Sequence, residues 1–183
     1  ISLKKSSDEI QEQVRQRAIG MMEQADLLLF VCDGTIGLTA EDRDIAQTCR
    51  RLNKKMVLVV NKADNSESQE HEHDFLRTGI KPIIHISAIH GTGIGDLLDA
   101  ICDGLPAPTG AKISDEESNC KIVILGKPNV GKSSLMNLLV QEERAIVSPI
   151  AGTTREAIGE KISFYHQDLL LTDTPGIRRK RKI

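Results

Sequence analysis

Gly126-Lys127-Pro128-Asn129-Val130-Gly131-Lys132-Ser133 fits the pattern G-x-x-x-x-G-K-[ST] at every position. It follows directly on the apolar run Lys121-Ile122-Val123-Ile124-Leu125 and leads into a helical stretch from Ser134 to Val140, the strand–loop–helix setting such a loop requires. Its glycines allow a backbone path closed to residues with a Cβ, so successive N–H groups can turn inward around an anion. Lys132 would bridge the β and γ oxygens of a nucleoside triphosphate. Ser133 would ligate Mg2+, and the helix starting here presents its positive dipole end to the phosphates. The plainer reading, a glycine-rich turn that matches by accident, has to account for eight positions and both flanks.

A phosphate loop does not name the base. Further toward the N-terminus, Asn61-Lys62-Ala63-Asp64 follows the strand-like run Lys55-Met56-Val57-Leu58-Val59-Val60. A carboxylate at Asp64 can accept from the N1–H and the 2-amino group of guanine, whereas adenine offers an acceptor at N1. Leaving that buried charge unpaired costs on the order of several kcal/mol, which is how such a site would reject ATP. Lys62 would lie along the base plane, and Asn61 would tie this loop to the phosphate loop. A solvated Asn/Lys/Asp turn after a buried strand is a common composition, so the tetrapeptide gains its weight from the second motif.

Two weaker pieces fit the same pocket. Ser87-Ala88 follows the run Pro82-Ile83-Ile84-His85-Ile86, where a backbone N–H would bond guanine O6, and Gly91-Thr92-Gly93 opens the next helix. Asp168-Leu169-Leu170-Leu171-Thr172-Asp173-Thr174-Pro175-Gly176 reads as a strand ending in Asp-x-x-Gly. There Asp173 would hold Mg2+ through a water and the Gly176 N–H would meet the γ-phosphate. Between them, Ala151-Gly152-Thr153-Thr154-Arg155 supplies a Thr154 hydroxyl that would close on Mg2+ when the γ-phosphate is present. The nucleotide-binding set therefore runs over Gly126 to Ser133, Asp173, Thr174, Pro175, Gly176, Ile177, Asn61 to Asp64, Ser87 and Ala88. Lys132, Thr154 and Gly176 are its expected catalytic members. Ile177 stands where many GTPases place a water-orienting glutamine.

The order of these motifs is unusual. The base-reading sequence precedes the phosphate loop, the reverse of an ordinary GTPase domain. Together, Gly-x-Pro-Asn-Val-Gly-Lys-Ser, Gly-Thr-Thr-Arg, Asp-Thr-Pro-Gly-Ile-Arg-Arg-Lys-Arg-Lys and Asn-Lys-Ala-Asp resemble the EngA (Der) family among the translation-factor-like GTPases. That family carries two consecutive G domains followed by a KH-like domain and acts in assembly of the large ribosomal subunit. The resemblance covers nearly all of the chain. It implies that 1–104 is the later, base-recognition part of a first G domain, 105–119 an interdomain linker, and 120–183 the opening part of a second G domain. The chain would then be a fragment lacking the first domain's phosphate loop, the second domain's Asn-Lys-x-Asp and the KH-like domain. The resemblance also implies potassium, with Asn129 as its ligand, GTP and GDP as ligands, and the large ribosomal subunit, RNA and protein, as partner of the intact protein.

Composition sets wider limits. The chain has 183 residues, 39% of them hydrophobic, enough for one domain with a core, or for two small ones. A net charge of −2 argues against a protein that coats nucleic acid generally. Cys32, Cys49, Cys102 and Cys120 have no CxxC spacing and read as small buried hydrophobes in a reducing compartment. No apolar run approaches membrane-spanning length and no signal peptide is visible, so the expectation is a cytoplasmic chain without membrane contact.

Periodicity gives about six strands and five helices. Ser6-Ser7-Asp8-Glu9 opens a helix with Ile10, Val14, Ala18 and Met21 at helical spacing. Leu27 to Cys32 is a strand, and Thr39 caps a helix carrying Ile45, Ala46, Cys49 and Leu52. Residues 65–74 read as loop running into a weak helix, and Gly93 to Leu105 as a helix with Ile94, Leu97, Leu98 and Ile101 on one face. Pro106 to Asn119 is a linker. Strands are expected near 157–165 and up to Asp173.

That inventory matches one α/β, P-loop (G-domain) fold with a mostly parallel sheet, its motifs in circularly permuted order. Permutation is tolerated where chain ends lie close, because loop-closure cost grows only logarithmically with length. The alternative is two half-domains that each seek a missing partner through open sheet edges, including a swapped dimer. Three functions remain open: a GTP-hydrolysing switch in ribosome assembly, a guanine-nucleotide-binding module with little turnover, and a P-loop ATPase, against which Asp64 argues. The empty switches, Ala145 to Thr154 and Gly176 onward, are expected to lack order. His71-Glu72-His73 reads as a solvated polar segment rather than a metal site, and His85 as a core residue. Arg178-Arg179-Lys180-Arg181-Lys182 reads as a cut loop here and as an RNA-phosphate contact in the intact protein.

Overall fold

The computed structural model describes residues 9–64, 70–106, 120–141, 146–148, 159–164 and 167–173, with side chains in 16–64, 70–106 and 120–140. In chain order the elements are α1 (Glu9–Gln24), β1 (Leu27–Asp33), α2 (Ala40–Arg51), β2 (Met56–Asn61), α3 (Glu72–Leu76), β3 (Ile83–Ile86) and α4 (Ile94–Gly104). Beyond residues 107–119 come β4 (Cys120–Leu125), α5 (Lys132–Gln141), β5 (Ile146–Ser148), β6 (Gly159–Phe164) and β7 (Gln167–Asp173).

These strands form one seven-stranded sheet in the order β3-β2-β1-β4-β7-β6-β5. From β3 to β7 every neighbour is parallel, and β6 and β5 are added antiparallel at one edge. The join between the two halves of the chain is the parallel pair β1–β4, with Leu27 opposite Ile122 and Phe30 opposite Leu125. Every residue of β1, Leu27-Leu28-Leu29-Phe30-Val31-Cys32-Asp33, is buried, as expected for a central parallel strand covered on both faces. The mostly parallel α/β sheet expected from the sequence is observed.

Alternation along the strands divides the core in two. Leu27, Leu29 and Val31 of β1, with Val57, Val59, Ile122 and Ile124, face α4 and α5 through Leu97, Ile101, Leu135 and Leu139. Leu28, Phe30 and Cys32, with Leu58, Val60, Val123 and Leu125, face α1 and α2 through Met22, Ile45, Ala46 and Cys49. Each core layer thus takes residues from both sides of 107–119. On one layer α4 and α5 come from opposite sides of it.

Local chemistry explains the helix starts. Thr39 caps α2: its hydroxyl accepts from the Asp42 N–H, while the Asp42 carboxylate accepts from the Thr39 N–H at 3.0 Å, a reciprocal box. The Ser6-Ser7-Asp8 cap expected for α1 lies outside the described residues. In α1 it is Met22, four residues after Ala18, that is buried, and Met21 is only half-buried; the i, i+4 spacing keeps Ala18 and Met22 on one face.

Five helices match the expectation, and the strands number seven rather than six among the described residues. The additional one is β5, within the span read as the first switch. Ile146 to Ser148 pair antiparallel with Ser163 to Lys161, so an edge of the sheet orders a piece that carries no strand-length apolar run of its own. The remaining switch residues, Thr154 and Thr174 to Ile177, the basic run 178–182 and most of the linker lie outside the described residues.

Candidate functional site

In an open α/β sheet a crevice forms where neighbouring parallel strands send their following helices to opposite faces. β1 and β4 do this: β1 leads to α2 on one layer, and β4 leads to α5 on the other. At the carboxyl ends of these strands the two motifs meet.

The glycine-rich loop rises from β4. At Gly126, with φ 148°, a Cβ would stand 2.2 Å from the Val31 carbonyl oxygen of β1, so only glycine lets the loop leave the sheet here. Asn129 takes φ 64° and Gly131 φ 96°, turning the backbone before Lys132 opens α5. Lys132 is buried, and its Nζ donates to the Lys127 carbonyl at 2.6 Å, reaching across the loop. The Lys127 side chain runs the other way, donating to Thr39 Oγ1 at 2.9 Å with Asp42 Oδ2 at 3.7 Å, and so anchors the loop to the cap of α2.

The loop of Asn61 to Asp64 leaves β2. Asn61, 3% exposed, donates from Nδ2 to the Val130 carbonyl at 2.8 Å and accepts at Oδ1 from the Ala88 N–H at 2.9 Å. A Cβ on Gly131 would lie 2.1 Å from that same Nδ2. One buried amide therefore binds three loops together, in the role expected of Asn61. Lys62, at φ 64°, pairs with Asp33 Oδ2 at 2.5 Å, and Asp33 Oδ1 accepts from the amide and hydroxyl of Thr35 at 3.0 and 2.6 Å. Burial alone would push the Asp33 carboxyl up, but the hydrogen bonds from Lys62 and Thr35 outweigh it and hold it below the usual carboxylate range. Ala63 donates to the Ile86 carbonyl at 3.0 Å. Asp64 is held below the usual range as well, first by the Ser87 hydroxyl, then by its own backbone and by His90.

Most amides of the turn after β3 are engaged. The Ser87 amide donates to the Thr92 carbonyl at 3.1 Å and that of Ala88 to Asn61, so both are already committed in this structure. The amide of Ile89, the next residue, has no partner among the described residues, which makes it the donor left for a carbonyl such as guanine O6. No local pattern marks it, because only the partners of Ser87 and Ala88 single it out. Asp33 and His90 likewise carry no local signal: each is recognised by the loop opposite it rather than by its own neighbours in sequence.

The structure brings together Gly126 to Ser133 with Asn61 to Asp64, Ser87 and Ala88. Asp173 ends β7 in register with Ile124, beside the start of the loop. Ser133 lies in the first turn of α5, which follows the loop that leaves β4. His85 is half-buried, its Nε2 lying 3.0 Å from Glu72 Oε2. Among the described residues no group of three metal-ligating side chains occurs, and no helix is long and apolar enough to cross a membrane. All four cysteines are free; burial pushes the Cys49 thiol up to about 12 and raises Cys32 further still.

Comparison with known proteins bears on both halves. Residues 13–107 match the model of the elongation factor Tu GTP binding domain, and residues 121–183 match that of the 50S ribosome-binding GTPase. The chain is 44% identical to a GTPase Der of Geobacillus kaustophilus over 171 residues, covering 93% of this chain and 39% of that protein. It is 44% identical to a GTPase Der of Clostridium perfringens over 178 residues, 97% of this chain and 40% of that one. With a GTPase Der of Symbiobacterium thermophilum it shares 40% over its full length, 39% of that protein. The chain thus spans about two fifths of the length of these relatives.

Proposed function

Because the chain belongs to the GTPase family, the elongation factor Tu GTP binding domain model matching more than half of it, we propose that it binds GTP and GDP in one composite pocket. The base-reading loop of 1–104 and the phosphate loop of 120–183 would serve a single nucleotide. The observation that carries this reading is the Asn61 side chain, bonded at once to Val130 of the phosphate loop and to Ala88 of the O6 loop. Asp64 would accept the guanine N1–H and 2-amino group, the Ile89 amide would donate to O6, and Lys62 would lie along the base. The turned amides of Gly126 to Lys132 would take the β-phosphate, with Lys132 leaving the Lys127 carbonyl for the γ-phosphate oxygens.

Ser133, Asp173 and Thr154 are the proposed Mg2+ ligands, and Asn129, exposed at the rim of the loop, the proposed potassium ligand. When bound, these cations offset the charge that develops on the phosphates. We infer GTP hydrolysis that is slow without potassium, since Ile177 has no group with which to orient water. Within the longer protein the site would act as a switch in large ribosomal subunit assembly. The alternative, binding with little turnover, is favoured by the apolar Ile177 and by a pocket composed of halves from two domains.

Titrating the chain with fluorescent GDP, GTP and ATP tests the proposal. Preference for guanine over adenine nucleotide is expected, and binding should raise the melting temperature because the assembled pocket alone binds. Equal affinity for ATP and GTP would sink it. Phosphate release then separates the hydrolase from the binding module.

A further inference from the structure

At the base-reading corner Asp64 is already engaged. Its Oδ2 lies 3.5 Å from Nε2 of His90, and the nearby Ser87 hydroxyl helps to hold its carboxyl below the usual range. Both partners belong to the turn between β3 and α4. That turn is closed by Ser87 N–H to Thr92 carbonyl at 3.1 Å, Gly91 N–H to Ser87 carbonyl at 2.8 Å and His90 N–H to Ser87 Oγ at 3.4 Å. The backbone of His90 is thereby fixed, and its ring reaches the carboxylate from a set position. Ser87 is 1% exposed and part of the wall, whereas the His90 side chain is 61% exposed and free to swing away.

We propose that His90 is a specificity-determining residue of the base pocket, whose protonated ring competes with the purine for Asp64 and ties guanine affinity to pH. The inference rests on the reading of Asp64 as the guanine-reading carboxylate. Guanine brings two donors, N1–H and the 2-amino group, which need both carboxylate oxygens. An imidazolium at Oδ2 occupies one of them with a charge-assisted contact, while a neutral ring competes weakly. Histidine changes charge between about pH 5 and 8, so the competition grows on acidification.

Other charges around the turn are committed elsewhere. Lys62 pairs with Asp33, Lys132 bonds the Lys127 carbonyl, and His85 of β3 faces Glu72 of α3. On α5 it is the Leu138 methyl that faces the Gly91 turn, and α4 brings Asp96 in its first turn. Asp64 is the carboxylate within ion-pair distance of His90 among the described residues. The expected direction is an affinity that falls as pH falls through the range in which histidine gains charge.

The test is a titration of the full chain with N-methylanthraniloyl-GDP from about pH 5.5 to about pH 8, the range over which histidine changes charge. Wild type, His90→Ala, His90→Lys and Asp64→Asn are compared. Ionisation of the GDP phosphate affects all alike and cancels in ratios. His90→Ala should bind about fivefold more tightly than wild type at the acidic end and converge with it at the basic end. His90→Lys should bind weakly throughout, since its charge persists. A wild-type to His90→Ala ratio that stays constant across the range overturns the proposal, as does a His90→Lys chain that binds as tightly as His90→Ala. If Asp64→Asn keeps the wild-type preference for guanine over adenine nucleotide, it is the assignment of Asp64 that fails, a result legible apart from the pH profiles.

Discussion

Asn61 and Val130, 69 residues apart in sequence, are joined by a 2.8 Å hydrogen bond from Nδ2 to the backbone carbonyl. Because the same amide also accepts from Ala88, Asn61→Ala strands two buried backbone groups. Each such loss costs about 1–3 kcal/mol. A fall in melting temperature of at least about 4 °C is expected from the 2–4 °C per kcal/mol of a domain this size, together with loss of GDP binding. Calorimetry and nucleotide titration check it; an unchanged melting temperature would contradict the bridging role.

Gly131→Ala probes the same contact from the other side. Its Cβ would fall 2.1 Å from Asn61 Nδ2, on a backbone at φ 96°. Strain of about 1–3 kcal/mol at that φ adds to the displacement of Asn61. If the two act through one contact, the double variant Gly131→Ala/Asn61→Ala loses less stability than the sum of the single losses. Simple additivity in denaturant unfolding would separate them.

Asp64→Asn is expected to weaken guanine binding at least tenfold, about 1.4 kcal/mol or more, and to favour xanthine nucleotide, whose C2 carbonyl and N1–H match an amide. Competition between GDP and XDP reads the switch directly. Unaltered preference for GDP would remove Asp64 from the base contact.

Potassium, and not sodium, should raise GTP turnover, and Asn129→Ala should abolish the response while leaving GDP affinity within a few-fold. A cation beside the α and γ phosphates acts on developing charge more than on ground-state binding. Turnover indifferent to the cation, or a potassium response that survives in Asn129→Ala, would refute the ligand assignment.

Stability should carry a pH signature from Asp33. Its carboxyl sits below the usual range in the folded chain, where the bonds from Lys62 and Thr35 outweigh the effect of burial. A lowered folded value gives stability that is complete above the unfolded pKa of about 3.9 and drains away as pH falls through the folded value. Lys62 is 37% exposed, so solvent screens part of the pair. At neutral pH Asp33→Asn should lower the melting temperature by about 3 °C, equivalent to about 1 kcal/mol. The gap to wild type should narrow once pH falls below the unfolded carboxylate value of about 3.9 and close as pH passes the folded value. A gap that stays constant with pH would mean that the pair contributes nothing.

Much of this architecture is legible in local sequence. Runs such as Leu27–Cys32 and Lys121–Leu125 mark central strands because both faces are buried, and the phosphate loop is legible because Gly126 and Gly131 meet constraints that side chains cannot. Thr39 announces its helix, since a cap bonds within one turn. What escaped has partners far along the chain. β5 is ordered by β6, Ile89 stands out only once Ala88 is seen to be bonded to Asn61, and Asp33 acquires its meaning from Lys62 across β1 and β2.

The sequence by itself singled out the glycine-rich loop of Gly126 to Ser133 and the carboxylate of Asp64, because backbone freedom and side-chain chemistry are properties of a few consecutive residues. That the loops at Asn61 to Asp64 and Gly126 to Ser133 rise from one sheet was decided by tertiary structure. The parallel register of Leu27 with Ile122, the two core layers filled from both sides of 107–119, and the Asn61 amide fitted against Gly131 are complementarities between segments far apart in the chain. Neither segment carries a pattern that names the other, so the match exists only once both surfaces are folded and packed together.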